Sequence, residues 1–155
     1  MAYDPSRVQF LVIEDDDIDR MAFERAFRRQ GLSNTIIFAD DGASALEILQ
    51  GDGERPPLAK PYIVVLDTSL PRMDGFEFLR RIRGSEGLRQ TVVFVLATSG
   101  VYADVARAYE SLVAGYLVKP NSPDAFKACM TLFERFLETV RLPCSGQVIV
   151  PGAPS

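Results

Sequence analysis

The chain contains no histidine at all. That excludes Ser-His and Cys-His nucleophile pairs and most catalytic zinc sites. Only two cysteines are present, Cys129 and Cys144. They cannot build a disulfide framework or a zinc site. Cys129 falls in a helical stretch, where a buried thiol is the ordinary state, and Cys144 reads as an exposed thiol in a tail. No apolar run approaches transmembrane length. The N-terminus, Met1-Ala2-Tyr3-Asp4-Pro5, has neither the basic region nor the apolar core of a signal peptide, so a cytoplasmic location is expected. The net charge is −4, and nothing in it argues for nucleic acid or a membrane surface as partner. No Walker-type or dinucleotide glycine motif follows the first apolar run. Chemistry must therefore come from carboxylates, lysine, hydroxyls and a hard metal ion.

What remains is an ordinary globular composition, with 155 residues, 47% hydrophobic and 25% charged. One domain with a sizeable core is expected. Phe10-Leu11-Val12-Ile13 reads as a buried strand, followed by Glu14-Asp15-Asp16-Asp17, where Asp16 or Asp17 can cap a helix. That helix carries Ile18, Met21, Ala22 and Ala26 at helical spacing, with Phe23 and Phe27 on an adjoining stripe, and stops at Gln30-Gly31. Thr35 to Ala39 predicts a second strand and Ala43 to Gln50 a second helix. Residues 51–61 form a long loop rich in glycine and proline.

Tyr62-Ile63-Val64-Val65-Leu66 predicts a strand buried on both faces and ending at Asp67. Phe76, Leu79 and Ile82 mark a third helix, with Arg80, Arg81 and Arg83 read as a solvated face. Val92 to Leu96 is another doubly buried strand, and Ala97-Thr98-Ser99-Gly100 follows it. Val105, Ala108, Tyr109 and Leu112 predict a fourth helix, and Gly115 to Val118 a short strand ending in Lys119-Pro120. Asn121-Ser122-Pro123-Asp124 is a helix start. The helix behind it has a wide apolar stripe of Phe126, Cys129, Met130, Phe133, Phe136, Leu137 and Val140, part for the core and part left for a partner. Leu142 to Ser155 reads as a mobile tail, although Val148-Ile149-Val150 can also add as a strand.

Five strands alternating with five helices predict an α/β fold, a doubly wound parallel sheet of flavodoxin-like (βα)5 type in the order 2-1-3-4-5. That order brings Glu14 and Asp15 beside Asp67, with Lys119 arriving from the fifth strand. Three crowded carboxylates repel each other, and a hard dication such as Mg2+ relieves this. Lys119 adds a fixed positive charge. Such a site suits phosphoryl transfer, with Asp67 as nucleophile. Asp40, Asp41 and Asp74 read as turn residues without chemistry.

Three stretches carry a resemblance to a known family. They are Leu11-Val12-Ile13-Glu14-Asp15, the run from Val65 to Gly75 (Val-Leu-Asp-Thr-Ser-Leu-Pro-Arg-Met-Asp-Gly), and Gly115-Tyr116-Leu117-Val118-Lys119-Pro120. The chain resembles the receiver domain of two-component response regulators over residues 8–141, after an N-terminal segment 1–7 and before a flexible tail 142–155. The resemblance implies Asp67 as phosphoacceptor and Glu14, Asp15, Asp67 and the Ser69 backbone carbonyl as ligands of Mg2+, with Mn2+ as a substitute. It further implies Lys119 as phosphate sensor, Tyr116 as the aromatic that moves on activation, and a cis bond before Pro120. The hydroxyl that the family uses to bond the phosphoryl group falls on Ala97, so Thr98 or Ser99 must serve, or the contact is missing.

Within that family the chain is similar to the small regulators that partner bacterial phytochromes. This implies a sensor histidine kinase as donor and a homodimer through the fourth helix, fifth strand and fifth helix, with Phe126, Met130, Phe133, Phe136 and Leu137 as candidate contacts. No DNA-binding segment follows Val140, so output through protein–protein contacts or phosphorelay is expected. Two other functions compete. A degenerate receiver serving as a scaffold is suggested by Ala97. An aspartyl-phosphate hydrolase is disfavoured because Ser69 stands where such enzymes place a second Asp.

Overall fold

The run Tyr62–Asp67 is buried at every one of its six positions, and it sits in the middle of a five-stranded sheet. The computed structural model describes residues 3–67, 75–98, 100–119 and 121–144. The predicted features in the remaining positions, including the turn at Asp74 and the run Val148 to Val150, lie outside the described residues. The strands are β1 (Gln9–Ile13), β2 (Ile36–Ala39), β3 (Tyr62–Asp67), β4 (Val92–Ala97) and β5 (Gly115–Val118). They alternate with helices α1 (Asp17–Arg29), α2 (Gly42–Gln50), α3 (Gly75–Gly84), α4 (Tyr102–Glu110) and α5 (Pro123–Thr139). All neighbouring strands run parallel in the order β2-β1-β3-β4-β5, the flavodoxin-like arrangement expected from the alternation.

Side chains in a strand point alternately to the two faces, and the core divides accordingly. Leu11, Ile13, Val64, Leu66, Val93 and Val95 face α2, α3 and α4, where Leu49, Phe78, Leu79, Ile82 and Ala108 cover them. Phe10, Val12, Ile63, Val65, Phe94 and Leu96 face α1 and α5, where Phe23, Phe27, Met130, Phe133 and Leu137 cover them. The helix starts are chemically specified. Asp16 accepts from the Asp19 N–H, Asp41 from Ser44 and Ser122 from Ala125, with Pro123 opening α5. Each caps one of the amides that a helix start leaves without a partner.

Several sequence expectations are corrected by packing. In α1 the stripe of Ile18 and Met21 does not face the core, since these side chains are 77% and 60% exposed. Phe23 and Phe27 are buried instead, one turn apart, because they carry more apolar area and meet other rings. Phe27 lies edge-on to Phe10 at 4.9 Å between centroids. In α4 only Ala108 is buried, while Tyr109 and the following Leu112 are exposed. Three of the candidate dimer contacts on α5, Met130, Phe133 and Leu137, are core residues. Phe133 alone packs near Phe10, Phe23 and Phe94, so it is unavailable to a partner. Phe126 and Phe136 are partly buried against the same cluster.

Arg83 does not belong to a solvated face either. Its guanidinium donates to the carbonyls of Ser111, Arg89, Thr91 and Leu112, which ties the end of α3 to the approaches of β4 and β5. Leu142, with which the expected tail starts, is buried in the α1–α5 layer.

A Phe133→Ala variant should lose about 3–5 kcal/mol of folding free energy. Chemical denaturation of the variant and the wild type would measure this. A loss under about 1 kcal/mol would contradict the ring cluster as the centre of that layer.

Candidate functional site

In a parallel sheet all carboxyl ends lie along one edge. The register pairs Ile13 of β1 with Leu66 of β3, so the residue after each, Glu14 and Asp67, emerges side by side. Asp15 follows Glu14, and Lys119 follows the last residue of β5. The chain folds this way locally because each strand is a short apolar run that stops where its charged residue begins.

The structure brings these four residues together. Glu14, Asp15 and Asp67 each present a carboxylate oxygen, and these oxygens all lie within 4.8 Å of one another. Glu14 and Asp67 are buried and Asp15 is exposed at the mouth. The Lys119 ammonium donates to Glu14 Oε2 at 2.9 Å and to Asp67 Oδ2 at 3.0 Å. Burial pushes the Glu14 carboxyl up to about 7, and its hydrogen bond with Asp67 adds to this, while Lys119 opposes it. For Lys119, burial works against the charge. Its bonds to Asp19, Glu14 and Asp67 outweigh that and raise its pKa above the ordinary lysine value.

A divalent cation suits this donor set. Two buried carboxylates lie side by side with the Lys119 ammonium between them, and a hard dication prefers oxygen ligands of this kind. Glu14, Asp15 and Asp67 are the described residues that can hold it.

Sequence reasoning missed two members of the site. Asp19, in the first turn of α1, accepts from Lys119 Nζ at 2.8 Å. Arg20 donates through Nε to the Glu14 backbone carbonyl at 2.6 Å and pairs with Asp40. Asp40 therefore has a partner beyond its turn. Asp19 looks like helix-start composition, and its partner lies 100 positions away, so no local signal marks it.

The switch positions come out unevenly. Ala97 is buried at the end of β4 and Thr98 is exposed. The Lys119 N–H donates to the Ala97 carbonyl, so the two strand ends are adjacent. Tyr116 is partly buried against the α2–α4 layer. Ser69, Ser99 and Pro120 lie outside the described residues.

The model of the response regulator receiver domain matches residues 10–131. The chain is 34% identical over 136 residues to response regulator Rcp1 of Synechocystis sp., covering 87% of this chain and 92% of that protein. The Mn2+-bound structure of Rcp1 superposes with a TM-score of 0.76 at 32% identity, over 88% of this chain and 99% of the other. A response regulator in red light signaling of R. palustris superposes with a TM-score of 0.79 at 32% identity, over 89% and 99% of the two chains. The phosphorylated cyanobacterial phytochrome response regulator RcpA gives 0.79 at 25% identity, over 88% and 99%. With its carboxylates and lysine gathered at the sheet edge as the three sequence motifs anticipate, the chain belongs to the response regulator receiver domain family.

Proposed function

We propose that Asp67 accepts a phosphoryl group from the phosphohistidine of a sensor kinase, with Mg2+ held by Glu14, Asp15, Asp67 and the Ser69 carbonyl, and Mn2+ able to replace it. The observation that carries this reading is the placement of Lys119 on Asp67 Oδ2 beside two further carboxylates. One oxygen of Asp67 attacks phosphorus, the donor's phosphorus–nitrogen bond breaks, and the donor keeps that electron pair. Bound Mg2+ would spread the negative charge of the phosphoryl oxygens. Lys119, already within 3.0 Å of the nucleophile, is placed to donate to one of those oxygens. The protein is then a signalling module whose own chemistry ends at an acyl phosphate.

The kinase class is supported by the company the chain keeps, since its similar structures include response regulators named for phytochromes and for red light signaling. We assign the donor to a bacteriophytochrome-type kinase on that basis. Homodimerisation would use the face of α4 and β5, where Tyr102, Tyr109, Leu112 and Val118 are exposed apolar residues. Phe126 and Phe136 are the members of the α5 stripe that can still border it. Ala97 supports a second reading, an interaction scaffold whose self-association ignores the phosphoryl group.

Acetyl phosphate with Mg2+ should label the wild-type protein at one site, found by mass spectrometry, and Asp67→Asn should take no label there. Equal labelling of that variant would sink the assignment. Sedimentation with Mg2+, with and without beryllofluoride, should show a shift toward dimer on adding the mimic. No shift would favour the scaffold.

Ion uptake needs the ionised form of Glu14. Metal affinity should therefore weaken as pH falls through about 7, read by calorimetric titration with Mn2+, and Glu14→Gln should remove that dependence. The metal-free fold carries the opposite sign. A carboxyl raised from 4.5 to about 7 by folding contributes most below pH 4.5, and that contribution is lost as pH rises toward 7. Relative to Glu14→Gln, the metal-free wild type should lose unfolding free energy across that window and then level off.

A further inference from the structure

Asp19 is not among the residues that gather around Asp67 from the ends of strands. It reaches the site from the side, from the first turn of α1. A carboxylate three residues past a helix cap ordinarily reaches back to the N–H of the capping residue. Here that N–H, on Asp16, is taken by Glu14 Oε1 at 3.1 Å. Asp19 still gives its own N–H to the Asp16 carboxylate at 3.0 Å, so its backbone is fixed. Its side chain is left for Lys119 Nζ at 2.8 Å, the shortest of the lysine's three contacts.

An ammonium has three N–H donors, and all three are used here, on Glu14, Asp19 and Asp67. Two of these acceptors change character when the site works. Asp67 exchanges its carboxylate for an acyl phosphate, whose negative charge lies on the phosphoryl oxygens, and Glu14 belongs to the cation-binding set. Asp19 belongs to neither. The donor released by Asp67 can turn to a phosphoryl oxygen while the bond to Asp19 keeps the ammonium aimed.

We propose that Asp19 is a positioning residue for Lys119, holding its ammonium at the phosphorylation site through phosphoryl transfer as an acceptor outside the reacting and metal-binding groups. This rests on Asp67 being the phosphoacceptor. The step itself balances without Asp19. With acetyl phosphate as donor, a carboxylate oxygen of Asp67 forms the new bond to phosphorus, the bond from phosphorus to the acetyl oxygen breaks, and acetate departs with the electron pair.

The test compares wild type, Asp19→Ala and Asp19→Glu by two readouts. The first is the reactivity of Lys119 toward trace acetic anhydride, followed by mass spectrometry. The second is the maximal rate of labelling by acetyl phosphate at saturating Mg2+, with Mn2+ affinity measured in parallel by calorimetry. The expected result for Asp19→Ala is a severalfold rise in Lys119 acetylation and about a tenfold fall in maximal rate, the scale of a displaced charged group. Mn2+ affinity should fall far less, and Asp19→Glu should restore both readouts toward wild type. Unchanged Lys119 reactivity in Asp19→Ala overturns the inference by itself, as does a rate loss matched by an equal loss of Mn2+ affinity. A wild-type protein that takes no label at Asp67 instead removes the phosphoacceptor reading, a separate outcome from the lysine's reactivity.

Discussion

Like charge crowded into one edge of the sheet is the constraint on which the site depends. Glu14 and Asp67 leave the ends of adjacent parallel strands as neighbours, and both are buried. Carboxylates in that position cannot all ionise without a cation. Lys119 supplies part of the balance, and the proposed divalent ion would supply the remainder. The same crowding that strains the metal-free fold prepares the site for a cation and for the transfer of a charged group.

The sheet explains how such a group can be held without flexible side chains. Glu14 and Lys119 are the first residues after apolar strands and Asp67 is the last of one, so their positions are inherited from core packing. The two hydrophobic layers, one under α2, α3 and α4 and the other under α1 and α5, fix the strand ends to which the carboxylates are attached. Arg20 extends this outward, binding the Glu14 carbonyl and Asp40 together. The loop after β1 is thus tied to the loop after β2.

Much of this was legible in the residues. The alternation of apolar runs with amphipathic stretches carries the strand order, and the order carries the meeting of Glu14, Asp15, Asp67 and Lys119. What escaped was orientation and distance. Ile18 and Met21 have helical spacing as good as that of Phe23 and Phe27, and only the rings waiting on β1 and α5 decide which pair turns inward. The apolar stripe of α5 is wide because the sheet above it is wide, so Met130, Phe133 and Leu137 are consumed by the core. Arg83 reads as one of three surface arginines until the carbonyls around it are in place. Asp19 is hidden for a related reason, since nothing within its own helix tells which distant cation it will meet.

β5 is the least buried of the five strands, with no buried position, whereas β3 is buried throughout. As an edge strand it has one neighbour, β4. Its carboxyl end is nevertheless pinned, because Lys119 reaches across to groups carried by β1, β3 and α1. The lysine therefore serves as a clasp on the margin of the sheet as well as a charge in the site. The three carboxylates are thereby linked, through one side chain, to the end of the strand that carries Tyr116.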